Sequence, residues 1–283
     1  MLRNIWFAVS AFLAAGICWL TDAFLTLAWL WVLPVSFLGA LLVTGVLYFL
    51  VLWLSCALVD VKKPQEKDNK YYRFLACRTA AVALWILRAR VHTRGLEKLP
   101  KDGRFLLVCN HIHNLDPVTL LAYFPKSQLA FISKRENTTM FLVGKIMHKL
   151  QCQLINREND REALRTIITC IKIIQDDKAS IGVFPEGYTS MDGLLHPFRS
   201  GVFKIAQKAN VPIVVCTIQN TNKVFSNFKK LKPTDVHLHL LDVLQPEQLA
   251  GMTAVEIGDR VHKMMAEDLG PELVLQELSP EEN

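Results

Sequence analysis

The chain has 283 residues, 51% of them apolar and 20% charged, with a net charge of +6 and a mean hydropathy of +0.24. A composition this apolar excludes disordered and collagen-like classes. The seven cysteines are odd in number, scattered and without a CxxC pair, which argues against a disulfide framework or a zinc ribbon.

Charge is placed unevenly, because residues 4–59 carry only Asp22. Residues 1–4 supply a basic start and 5–20 an apolar stretch of signal-peptide length, but no small-residue cleavage site leads into polar sequence; 24–59 continues apolar instead. This pattern reads as an uncleaved membrane anchor. A single helix over 24–59 would overrun the ~30 Å hydrocarbon core, and it contains Pro34, so the sequence predicts a hairpin broken near Pro34, with one arm ending near Leu33 and the other running from about Val35 to Val59. Thr21 and Asp22 interrupt the first arm, which leaves crossing the bilayer and dipping into one leaflet both open. Either geometry returns the chain to its starting side. Residues 61–103 hold eleven Lys or Arg against four Asp or Glu, a net +7, which places that side in the cytoplasm and would equally serve anionic lipid. The organisation expected is a hairpin over 1–60, a basic amphipathic connector over 61–104 with a helix across 70–88, and an α/β domain over 105–283.

Apolar runs at 105–109, 128–133, 153–156, 180–184, 212–218 and 236–243 read as strands. Between and after them, 117–123, 138–150, 160–175, 201–209 and 254–269 read as helices. This alternation predicts a mostly parallel sheet flanked by helices, with ligands beyond the carboxyl ends of the strands. Cys109 and Cys216, inside apolar strands, read as small hydrophobes.

The stretch Cys109-Asn110-His111-Ile112-His113-Asn114-Leu115-Asp116-Pro117 follows directly on a strand. Asp116 before Pro117 has the form of a helix cap, so the loop is short and its side chains are held in fixed relation. A carboxylate on one nitrogen of His111 would free the other as a base for a hydroxyl; Asp116 as a cap alone, and His111 with His113 as metal ligands, are the competing readings. The remaining histidines form no second ligand cluster, so no metal is expected. A second candidate site is Phe184-Pro185-Glu186-Gly187-Tyr188-Thr189-Ser190, where a strand ends in a sharp turn bearing a carboxylate. Arg157, after another short strand, has the donor fork that suits a phosphate, or a surface ion pair.

Four blocks in this order resemble the glycerolipid acyltransferases of the lysophosphatidic acid acyltransferase family. They are Asn110, His111 and Asp116 for the Asn-His-x4-Asp box, Ile155 and Arg157 for Ile-x-Arg, Phe184 to Gly187 for Phe-Pro-Glu-Gly, and Val211 to Ile213 for Val-Pro-Ile. The resemblance covers about residues 70–218, and the N-terminal hairpin is similar to that of bacterial members. It implies transfer of a fatty acyl group from acyl-CoA or acyl carrier protein to the sn-2 hydroxyl of 1-acyl-glycerol-3-phosphate, giving phosphatidic acid at the cytoplasmic membrane, with no cofactor and no nucleic-acid partner. In that scheme His111 is the base and Asp116 orients it. Asn110 lies at the substrate, Arg157 holds the phosphate, Glu186 and Gly187 position the glycerol, and backbone N–H groups near Pro117 stabilise the oxyanion. The same chemistry on another lyso-lipid or on glycerol-3-phosphate, and an idle lipid-binding protein, remain the alternatives. The sequence departs from the family at His113, where serine is usual, at Thr189 in place of arginine, and at Val215 in place of a second proline. With that arginine missing, Arg199, just downstream of the Glu186 turn, is the expected second phosphate contact and Lys204 a solvated side chain.

Overall fold

The computed structural model of the protein describes residues 2–65, 68–156 and 159–275. It forms two compact units, Met1–Lys62 and Lys63–Asn283.

The first unit is a helical hairpin of α1 (Leu2–Leu20) and α2 (Trp29–Ala57), both long and apolar enough to cross a membrane. The turn lies at 21–28 and not at Pro34, which sits inside α2. Two local effects place it there. Asp22 adopts the left-handed conformation (φ 53°), which the short side chains of Asp and Asn tolerate. The Thr21 hydroxyl donates to the carbonyl of Ile17 at 2.8 Å and so helps close α1. Pro34, near the start of α2, removes one helical hydrogen bond without ending the helix. The arms are joined by polar side chains within an apolar seam, where Trp6 Nε1 donates to Thr44 Oγ1 at 2.6 Å.

The second unit is a seven-stranded sheet in the order β1-β7-β6-β2-β5-β3-β4. Its elements in chain order are α3 (Lys70–Ile86), β1 (Ala89–Arg94), β2 (Leu106–Cys109), α4 (Asp116–Tyr123), β3 (Leu129–Lys134), α5 (Phe141–Lys149), β4 (Gln153–Ile155), α6 (Asp160–Gln175), β5 (Ser180–Val183), α7 (Lys204–Ala209), β6 (Ile213–Gln219), α8 (Val224–Lys229), β7 (Thr234–Leu244) and α9 (Ala254–Leu269). All neighbouring pairs are parallel except β6 and β7. The mostly parallel α/β class is therefore as expected.

Residues 61–104, expected as a connector ahead of the sheet, supply two elements of this unit. β1 is an edge strand whose Ala-Arg-Val-His-Thr-Arg sequence is largely solvent-facing, so it carries no apolar run by which to recognise it. In α3, one face buries Leu75, Ala76, Ala80 and Leu84, together with Arg73, which is paired to Asp68 at 2.7 Å and bonded to the Leu129 carbonyl. The other face leaves Tyr71, Phe74, Trp85 and Ile86 exposed.

Side-chain alternation in the strands builds a core on each side of the sheet. Leu106 and Val108 face Ile173, Ile205 and Val261, while Leu107 and Cys109 face Leu120, Val214 and Val224. Each fully buried aliphatic contributes roughly 1.5–3 kcal/mol. With β2 hydrogen-bonded between β5 and β6, the carboxyl ends of these three strands lie side by side, each followed by a loop.

Candidate active site

The loop from β2 to α4 is closed by Asp116. Its Oδ2 accepts from His111 Nδ1 and from the N–H groups of Ile112 and His113, each at 2.8 Å, and its Oδ1 accepts from the Thr221 hydroxyl. Asp116 is the first residue of α4, one position beyond the expected cap, and is fully buried. Because the Asp116 oxygen accepts in this pair, Nδ1 of His111 is the donor and Nε2 presents a lone pair. The His111 ring lies on Phe184, with centroids 4.2 Å apart and planes 22° from parallel, and Nε2 faces Thr189 Oγ1 at 3.0 Å.

Glu186 is 1% exposed and locks this loop to the one after β5. Its Oε1 accepts the His111 N–H at 2.7 Å, and its Oε2 accepts the Ser190 hydroxyl at 2.5 Å and the His196 N–H at 3.1 Å. In return the Ser190 N–H donates to the His111 carbonyl at 2.7 Å. Burial pushes the Glu186 carboxyl up, against the pull of these three donors. The resemblance assigns Glu186 to the glycerol, and in the structure its oxygens are engaged by the protein. The Glu186 oxygens are turned inward and hold the backbone of His111.

Asn110 is likewise 2% exposed, and its amide is spent on β6: Nδ2 donates to the Ile218 carbonyl at 2.9 Å and Oδ1 accepts the Ile218 N–H at 2.8 Å. It pins the carboxyl ends of β2 and β6 together. The N–H groups of Ile112 and His113, near the start of α4, donate to Asp116.

Among the described residues, His113, the rival base, has no carboxylate on its ring. Its Nδ1 accepts the Leu115 N–H at 3.2 Å, and the ring packs against Phe225. Burial lowers its pKa below the ordinary 6.5, opposed by Asp116 and reinforced by His111. Among the described residues no three His, Cys, Asp or Glu side chains converge as metal ligands would.

Comparison with known proteins agrees with this geometry. The family model described as Acyltransferase matches residues 90–219, which hold both loops. A probable 1-acyl-sn-glycerol-3-phosphate acyltransferase of Mycoplasma pneumoniae is 32% identical over 230 residues, 77% of this chain and 81% of the relative. The chain belongs to the 1-acyl-sn-glycerol-3-phosphate acyltransferase family. A relative of that name from Bacillus subtilis is 28% identical over 188 residues, covering 64% of this chain and 91% of its own. The acyltransferase also shares its fold with the crystal structure of the 1-acyl-sn-glycerophosphate acyltransferase from Thermotoga maritima, at a TM-score of 0.62 and 21% identity over 82% of this chain and 91% of that one.

Set on the acyltransferase fold, the remaining candidates divide. Gly187 takes a φ of +85°, and a Cβ there would stand 2.9 Å from Cδ and Nε of Arg199. The Arg199 stem therefore runs across the Gly187 backbone, held by its own N–H on the Pro185 carbonyl at 2.8 Å. Arg199 is exposed, and its guanidinium has no hydrogen-bond or ion-pair partner among the described residues. Lys204 is exposed at the start of α7. Arg157 lies outside the described residues. Two side chains on the dyad were not singled out as contacts in the sequence. Thr221 follows β6, with no motif to mark it, and Thr189 was visible only as a departure from the family pattern.

Proposed function

We propose that the protein transfers a fatty acyl group from a thioester, acyl-CoA or acyl carrier protein, to the sn-2 hydroxyl of 1-acyl-glycerol-3-phosphate, giving phosphatidic acid. The observation that carries this reading is the His111–Asp116 pair, with Nδ1 on a fully buried carboxylate and the Nε2 lone pair on the opposite side of the ring. His111 takes the hydroxyl proton as the lipid oxygen attacks the thioester carbonyl. The imidazolium is stabilised by Asp116, and the tetrahedral adduct then expels the thiolate, which recovers the proton from Nε2. The energy comes from the thioester, and no further cofactor enters the reaction. Arg199, with a free guanidinium beside the Glu186 turn, is the phosphate contact, joined by Arg157 on the strength of the family resemblance. The apolar hairpin anchors the enzyme in the cytoplasmic membrane, with the basic segment after it on the cytoplasmic side.

The test is formation of phosphatidic acid by purified protein with each donor. Arg199→Ala is expected to raise the KM for the phosphate-bearing acceptor roughly ten- to hundredfold, with the donor KM little changed. An unchanged acceptor KM would mean that Arg199 is not on the phosphate. Turnover confined to an acceptor without a free phosphate would move the reading to that lyso-lipid.

A further inference from the structure

The hydroxyl of Thr189 occupies the one place on His111 that the acceptor must reach. Nδ1–H is committed to Asp116, so Nε2 is a lone pair, and the Thr189 O–H at 3.0 Å is its donor. Thr189 stands there by construction. On one side Ser190 is bonded to the His111 carbonyl through its N–H and to Glu186 through its hydroxyl; on the other, Gly187 closes the turn with its N–H on the Phe184 carbonyl at 3.1 Å. His111 itself is held by its N–H on Glu186 and by Phe184 against its face.

A single sp² lone pair accepts one strong hydrogen bond. While Thr189 holds it, no water can donate to Nε2 and be activated. A donor-loaded enzyme with a bare imidazole would hydrolyse the thioester it is meant to transfer. We infer that Thr189 is a positioning residue that caps the His111 base until the lipid hydroxyl displaces it, and so favours the lipid over water as acyl acceptor. The discrimination follows from where the binding energy lies. The acceptor brings a phosphate and an acyl chain whose contacts can offset the loss of the Thr189 hydrogen bond, whereas water brings none. Threonine suits the task by its short reach, since an arginine at this position has no hydroxyl to place on Nε2.

The inference rests on the acyltransferase reading, and the two fail in different ways. Purified wild type, Thr189→Ala and Thr189→Ser are incubated with acyl-CoA alone, and thiol release is followed per mole of folded enzyme; transfer to 1-acyl-glycerol-3-phosphate is measured separately. Thr189→Ala is expected to hydrolyse the donor about two- to tenfold faster than wild type, the effect of losing one neutral hydrogen bond. Thr189→Ser, which keeps the hydroxyl, is expected to stay at the wild-type rate. Thr189→Gly serves as a second hydroxyl-free variant should the alanine protein not fold. Hydrolysis that does not rise in the hydroxyl-free variant, whatever its transfer rate, overturns the inference, as does an equal rise in Thr189→Ser. Acylation of Thr189 by donor alone, seen as added acyl mass on the intact protein, also overturns it, since the hydroxyl would then be a nucleophile. If wild type acylates no lipid acceptor, the acyltransferase reading itself has failed.

Discussion

Replacing Asp116 with asparagine separates the electrostatic part of the dyad from its scaffolding. The donors around the carboxylate dictate how the amide settles. Oδ2 receives two backbone N–H groups and His111 Nδ1, so the amide oxygen must take that place, and the NH2 group then meets the Thr221 hydroxyl, which can turn to accept. Asp116→Asn should therefore fold with the loop intact and with His111 in the same tautomer. The negative charge opposite the forming imidazolium is what it loses. With the charge centres about 4 Å apart and an effective dielectric near 20, that attraction is about 4 kcal/mol, which corresponds to a loss of about 10³ in turnover. The assay is single-turnover acyl transfer, alongside thermal unfolding to establish that stability has moved by no more than about 1 kcal/mol. Turnover within tenfold of wild type in a folded Asp116→Asn protein would refute the reasoning and reduce Asp116 to a loop cap.

Two further outcomes follow from the packing of the site. Glu186→Gln offers one acceptor oxygen where His111, Ser190 and His196 present donors to two, so at least one buried N–H loses its partner whichever way the amide turns; denaturant unfolding should show a loss of about 2–4 kcal/mol, with kcat falling more than the acceptor KM rises. His113, held below its ordinary 6.5 by burial, binds fewer protons folded than unfolded just under that pH, so stability rises with pH across the interval and falls on acidification. Its contribution is at most about 1.4 kcal/mol per pH unit, and His113→Gln should flatten the stability profile below pH 6.5 by that much or less in equilibrium unfolding; an unaltered profile would contradict the assignment.

What could be read from the residues alone was local or periodic. The apolar runs separated by helical spacing specify strands and crossover helices, because each must bury one face, and this yields the parallel α/β class without any knowledge of strand order. The His111–Asp116 pair is legible for the same reason, since both residues sit within one strand-to-helix turn whose length leaves the ring little choice of partner. Strands whose burial is one-sided or slight escape this reading. β1, with polar residues at an open edge, left no signal, and the hairpin turn fell at Asp22, where a left-handed residue served better than the proline.

The tertiary structure decided which distant groups meet that turn. Strand order places β5 and β6 on either side of β2, and only this brings Thr189 and Glu186 from one loop and Thr221 from another onto His111 and Asp116. No local pattern encodes an approach across 75 to 105 residues of chain. It depends on the sum of core contacts that set the order of the strands. The same packing turned Asn110 and Glu186 inward, because a buried amide or carboxylate is stable only where backbone and side-chain partners satisfy it, and here the protein supplies those partners.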